Sequence, residues 1–244
     1  MFSKSRRIRT LAVTAGFTLA LLAACSPSAA STTATAPPGT TPAKNNENSP
    51  KLVTATSKSL GNVNPRTPAN LVQDLQKGGH VIVFRYTGAV YPQNPQDKAV
   101  AGAIDDGQRI SEQSKKMMAA LGQQYKKLKI PVDRVWSSEY YFVYQHALAA
   151  FGAPVTMNRD LTGSLAPFFR DQKLLETSLQ GLRNRTVTPP PAGKNTILFT
   201  HQGKFDKAYG YYPVAGQTLI FKPDGTGTPR LIANLNYEQF MALK

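Results

Sequence analysis

Three short clusters carry residue types from which a binding or catalytic site could be built: Arg85-Tyr86-Thr87-Gly88, Ser137-Ser138-Glu139 and Thr200-His201-Gln202-Gly203. Guanidinium, imidazole and the free N–H groups of a helix start all present donors to phosphate-like oxygens. Brought to one place, these clusters would make an anion pocket in which Arg85 and His201 are the binding residues. Histidine occurs only as His80, His146 and His201, with no C-x-x-C and no H-x-x-x-H spacing, so neither a metal site nor a cofactor is expected.

The three clusters each follow a run that reads as a strand. His80 to Phe84 and Thr196 to Thr200 are short, largely apolar runs of the kind that parallel strands covered on both faces require, and Val132 to Trp136 reads as a further short strand. Between them lie helical patterns. Pro68 to Lys77 puts Leu71, Val72 and Leu75 on one face, with Thr67 as N-cap and Gly78-Gly79 as the stop. Residues 107–129 read as a long amphipathic helix, 139–151 as another, and a further helix falls within 167–183. Gln217 to Lys222 and Arg230 to Asn234 close the sheet around an Asp224-Gly225 turn, and a short helix ends the chain. Alternation of strands and helices predicts a three-layer α/β/α sandwich on a mostly parallel central sheet. Such sheets hold ligands at the carboxyl ends of their strands, where the three clusters stand.

The ordered segments HVIVFR, VDRVWSSEYYFVYQHA, NTILFTHQG and GQTLIFKPDG resemble the histidine phosphatase superfamily, the phosphoglycerate-mutase-like fold, from about residue 68 to the C-terminus. The resemblance implies a phosphoryl pocket of two histidines and two arginines, one histidine being the nucleophile, with no metal. On its Arg-His-Gly motif Arg85 matches the arginine, Tyr86 stands at the nucleophile and Thr87 at the glycine. On its second motif Phe142 stands where the clamping arginine would be, and His201 matches the late histidine. The proton-donating acid has no clear match among Asp160, Asp171, Glu176 and Asp206.

A phenol with a pKa of about 10 is a poor nucleophile beside an imidazole, and a phenyl ring cannot clamp phosphate oxygens. The expectation is a degenerate, catalytically inactive domain that binds or scaffolds. Its ligand would be phosphorylated or otherwise anionic, or its partner an envelope protein. The alternative is a phosphomonoesterase of altered chemistry in which Tyr86 and His201 act, with His146 one helical turn beyond Phe142 as a further contributor. Otherwise Tyr86 is a ring filling the pocket and His146 a surface or helix-packing residue. The tyrosines offer a third reading, a partner surface formed by Tyr140, Tyr141 and Tyr144 with Tyr209, Tyr211 and Tyr212, unless about half of them pack inside.

The formal net charge is +15, of which residues 66–244 hold about +9 from 22 basic and 13 acidic residues. That balance favours anionic partners. The basic residues are dispersed apart from Lys126, Lys127 and Lys129, and no zinc-finger, Walker or RNA-recognition pattern occurs, so nucleic acid is not an expected partner.

The beginning of the chain reads differently. Lys4, Arg6, Arg7 and Arg9 precede an uncharged, mostly apolar stretch from Leu11 to Ala24, too short to span a bilayer and suited to an export signal. It ends in Leu22-Ala23-Ala24-Cys25, which resembles a bacterial lipobox, so residues 1–24 are expected to be a signal peptide and Cys25 the lipidated residue. Acyl chains such as palmitate on Cys25 would then make the membrane the first partner. Ser26 after the cysteine favours the outer membrane, facing the periplasm, if the host has one. Residues 25–65 are rich in Ser, Thr, Ala, Pro and Asn and read as a loose tether, leaving 66–244 as the domain.

Overall fold

The computed structural model describes residues 51–244, which lie within one compact unit, Pro50–Lys244. The signal peptide, Cys25 and most of the expected tether lie outside the described residues.

The first element is α1 (Leu71–Lys77), which runs into β1 (Val81–Arg85). A small two-stranded sheet follows, β2 (Ala89–Val90) against β3 (Arg109–Ile110), before α2 (Glu112–Lys127). Next come β4 (Val132–Ser137), α3 (Tyr141–Phe151), β5 (Thr156–Met157) and two 3-10 turns, Arg159–Leu161 and Pro167–Arg170. After α4 (Gln172–Val187) the chain forms β6 (Asn195–Thr200), α5 (Gln202–Tyr209), β7 (Thr218–Phe221), β8 (Leu231–Leu235) and α6 (Tyr237–Met241).

The main sheet has the order β5-β4-β6-β1-β7-β8. Strands β5, β4, β6 and β1 are mutually parallel, whereas β7 and β8 are antiparallel to their neighbours. Alternation along β1 divides the core in two. Ile82 and Phe84 face one cluster with residues of α1, α2 and α3, while Val81 and Val83 face the other with residues of α4 and α5. The sheet is therefore sandwiched between helices, as the near-continuously buried strands β1, β6 and β7 at its centre require.

Three details depart from the reading of the sequence. First, α1 begins at Leu71 with Asn70 at its N-cap rather than Thr67. Second, residues 107–111 are not helical. Arg109 and Ile110 pair with Val90 and Ala89, and the Ser111 hydroxyl accepts from Ser114 N to start α2. Third, the tether does not extend to residue 65.

Residues 51–65 lie against the domain as an irregular strap. Val53 N donates to Thr188 Oγ1 at 2.9 Å, Ala55 N to Asn184 Oδ1 at 2.8 Å, and Thr56 N to Gly227 O at 2.9 Å. Leu60 is buried in the cluster under α4, and Asn234 Nδ2 donates to Val63 O at 2.8 Å. Composition alone, with few large apolar groups in this stretch, points to a loose chain. It does not reveal that side chains of α4 and β8 satisfy the strap's backbone, which one leucine then anchors.

Candidate functional site

Strands β4, β6 and β1 are parallel neighbours, so the sheet order brings the ends of all three sequence clusters to one edge. There a cleft of about 480 Å³ opens, with Tyr86, Tyr140, Phe142 and His201 among its lining residues. Its rim comes from the loop after β2 (Asp106, Gln108), the turn between the 3-10 segments (Ser164, Leu165) and α5 with the residues after it (Asp206, Lys207, Tyr212).

His201 follows β6 as the N-cap of α5, with only 9% of its surface exposed. Its Nε2 is 2.8 Å from Ser138 Oγ, which also accepts from Tyr140 N at 3.1 Å. The pairing that leaves no hydroxyl hydrogen idle has Ser138 donating to Nε2, which puts the ring proton on Nδ1. A Cβ at Gly163 would stand 3.0 Å from that Nδ1, so a glycine there lets the backbone approach the ring. Burial pulls the His201 pKa down to about 3, with Arg85, Lys204 and His146 acting the same way. The imidazole is neutral at physiological pH.

Tyr86 occupies the middle of this arrangement. Its ring centroid is 5.0 Å from Phe142, 5.6 Å from His146 and 5.3 Å from His201. Burial raises the phenol above its ordinary value, against the opposing pull of Arg85. A phenolate nucleophile is thus further from reach than in a free tyrosine. Phe142 is 2% exposed and contacts Tyr140 and His201 as well, so the position of the expected second clamp is apolar core.

Arg85 reaches the edge but turns inward. Its Nη1 donates to the carbonyls of Tyr86 at 2.6 Å and Thr87 at 2.9 Å, and its Nε to Gln202 Oε1 at 3.0 Å. The guanidinium lies 4.2 Å from the Tyr86 ring centroid and is not among the groups lining the cleft. Arg85 is close enough to His201 to act on it electrostatically, yet its guanidinium clamps protein carbonyls rather than facing an open anion site.

His146 is fully buried, which corrects the surface option for it. Its Nδ1 pairs with Phe142 O at 2.7 Å, and burial lowers its pKa to about 4. Its Nε2 and the Thr87 hydroxyl lack protein partners, both adjoining Tyr86. Of the four candidate acids only Asp206 lines the cleft. Asp160 accepts from Arg185 at 2.9 Å, Asp171 caps α4, and Glu176 pairs with Arg183 at 2.6 Å. Among the six tyrosines singled out, Tyr141 and Tyr209 are buried and only Tyr212 is largely exposed, at 59%.

Two residues of the site escaped the sequence reading. Lys204 is fully buried beside the cleft; its ammonium donates to Ser178 Oγ and lies 4.2 Å from the Phe169 ring centroid. Burial lowers its pKa to about 7, opposed chiefly by Asp160 and Glu139. Positions 201, 204, 205 and 208 are all buried, a helical spacing that could have flagged Lys204 as inward-facing. Arg109 is the other. It donates to Asp97 at 2.7 Å and Asp105 at 2.8 Å, tying down the loop that carries Asp106 and Gln108. Among the described residues, no group of three or more His, Cys, Asp or Glu side chains is placed to hold a metal ion, and no helix is long and apolar enough to cross a membrane.

No family model matches the chain, and no curated protein does. Solved structures similar to it include a mycobacterial glucosyl-3-phosphoglycerate phosphatase in complex with inorganic phosphate, at 10% identity and a TM-score of 0.44, covering 68% of this chain and 100% of that one. The α-ribazole phosphatase of Shigella flexneri is similar at 11% identity and a TM-score of 0.42, over 62% of this chain and 94% of that one. A protein histidine phosphatase, SixA, complexed with tungstate gives 14% identity and 0.42, over 65% and 97%. These likenesses assign no role to any residue here.

Proposed function

We propose that this chain is a lipid-anchored envelope protein whose histidine-phosphatase-like domain binds rather than catalyses. The observation that carries the reading is the Tyr86 ring, packed between His201, Phe142 and His146 where a phosphoryl group would have to sit. A neutral imidazole hydrogen-bonded to Ser138, a raised phenol and an inward-turned Arg85 supply neither a ready nucleophile nor an open anion clamp.

The test is hydrolysis of p-nitrophenyl phosphate. The wild-type protein is expected to hydrolyse it no faster than buffer, and the Tyr86→His, Phe142→Arg pair to gain activity by restoring imidazole and guanidinium. Wild-type turnover abolished by His201→Ala or Tyr86→Phe would overturn the reading and favour a phosphomonoesterase.

Anchoring rests on the lipobox-like Leu22-Ala23-Ala24-Cys25 behind a basic, then apolar, leader. Labelled palmitate should enter the protein in a bacterial host and be lost in Cys25→Ser. Unchanged labelling of that variant would remove the anchor from the proposal.

A further inference from the structure

The cleft has a composition that an empty phosphate site would not need. Its floor is rings: Tyr86, Tyr140 and Phe142 about the neutral His201. At its mouth stand two strongly exposed apolar groups, Tyr212 at 59% and Leu165 at 90%. A volume of about 480 Å³ is in the range of an organic ligand, far beyond a bare phosphate.

The polar groups around the rings are arranged for hydroxyls. Asp106 and Asp206 line the cleft as carboxylates, which only accept; Asp106 already accepts from Gln108 N and Nε2, and among the described residues no side-chain partner holds Asp206. Gln202 Oε1 is taken by Arg85, and the same side chain hydrogen-bonds the Tyr86 phenol, so its amide is held at the cleft floor. Ser164 adds a hydroxyl that can do either. The cations, by contrast, are engaged elsewhere. Arg85 holds the carbonyls of Tyr86 and Thr87, and Lys204 is buried against Ser178. The remaining lining cation, Lys207, shares the lining with the carboxylates Asp106 and Asp206. A dianionic phosphate would meet acceptor oxygens at the rim and rings below. A sugar ring would stack its C–H face on an aromatic ring and turn its hydroxyls to the carboxylates.

We propose that the cleft binds uncharged sugar rings, in the manner of a short neutral oligosaccharide, with Tyr212 as the stacking residue and Asp206 as a hydroxyl acceptor. The inference rests on the non-catalytic reading above and specifies its ligand.

Calorimetric titration of the protein with chitotriose, cellotriose and maltotriose tests it, with inorganic phosphate in parallel. Saturable binding of at least one trisaccharide is expected, insensitive to added salt and weakened about tenfold or more by Tyr212→Ala and by Asp206→Ala. Both side chains lie at the cleft surface rather than in the core, so the variants should fold, and unchanged thermal unfolding would establish that. No saturable binding of any of the three sugars at millimolar concentration overturns the proposal. So does sugar binding that both variants leave unchanged, or saturable phosphate binding weakened by salt. The two readings fail separately: wild-type phosphatase activity removes the non-catalytic one, whereas a silent protein that ignores all three sugars removes only the sugar ligand.

Discussion

At the residue scale, the chain holds all three of its histidines buried, with His80 at 1%, His146 at 0% and His201 at 9% exposure. Each is lowered from the ordinary 6.5 chiefly by burial, His146 to about 4 and His201 to about 3. The unfolded chain takes up protons as pH falls through 6.5, while the folded chain stays neutral there. Stability must therefore decline as pH drops below 6.5 and level off only near the folded-state values of about 4 and about 3. Each such histidine contributes a slope approaching about 1.4 kcal/mol per pH unit. Urea unfolding from neutral pH down to about 4 should trace this limb, and His201→Gln should make it shallower. A limb equally steep in that variant would mean His201 is not held neutral. Tyr86 was legible in the sequence as a cleft residue because it directly follows a buried strand. Arg85 turning onto carbonyls was not, since its direction depends on Gln202, 117 positions away.

Among elements, the buried strands were readable because a strand covered on both faces has no polar alternation to hide. The two-residue strands β2, β3 and β5 carry too few residues for any period, and α5 is a single eight-residue helix directly after His201. Helix–helix spacing was equally invisible. On α2, Gly122 lets α3 approach so closely that an added Cβ would stand 1.8 Å from Ala150 O. The clash is with backbone, which cannot rotate away. Since α3 carries Phe142 and His146, its displacement would reach the cleft floor. Gly122→Ala, which on helix propensity alone would stabilise by up to about 1 kcal/mol, should instead destabilise by roughly 1–3 kcal/mol. Urea unfolding decides the sign, and a gain in stability would show that α2 and α3 are not in this contact.

For the whole molecule, composition separated residues 1–65 from an α/β domain but misplaced where packing begins. Residues 51–65 close over the cluster beneath α4 and touch elements far apart in sequence: Thr188 and Asn184 on one side, Gly227 and Asn234 on the other. A chain starting at residue 66 would expose what Leu60 covers and leave those partners to water. Burial of one leucine contributes about 1.5–3 kcal/mol, and each backbone bond a net of about 1 kcal/mol. Ordering fifteen residues of irregular chain offsets much of that sum. A net loss on the order of 2 kcal/mol is expected when residues 51–65 are removed, read as a lower urea midpoint than that of a chain starting at residue 51. Equal midpoints would mean that the strap's contacts only balance its ordering cost. A lower midpoint would make the strap part of the fold, so that any pull on the chain from its N-terminal side acts first on the bonds to α4.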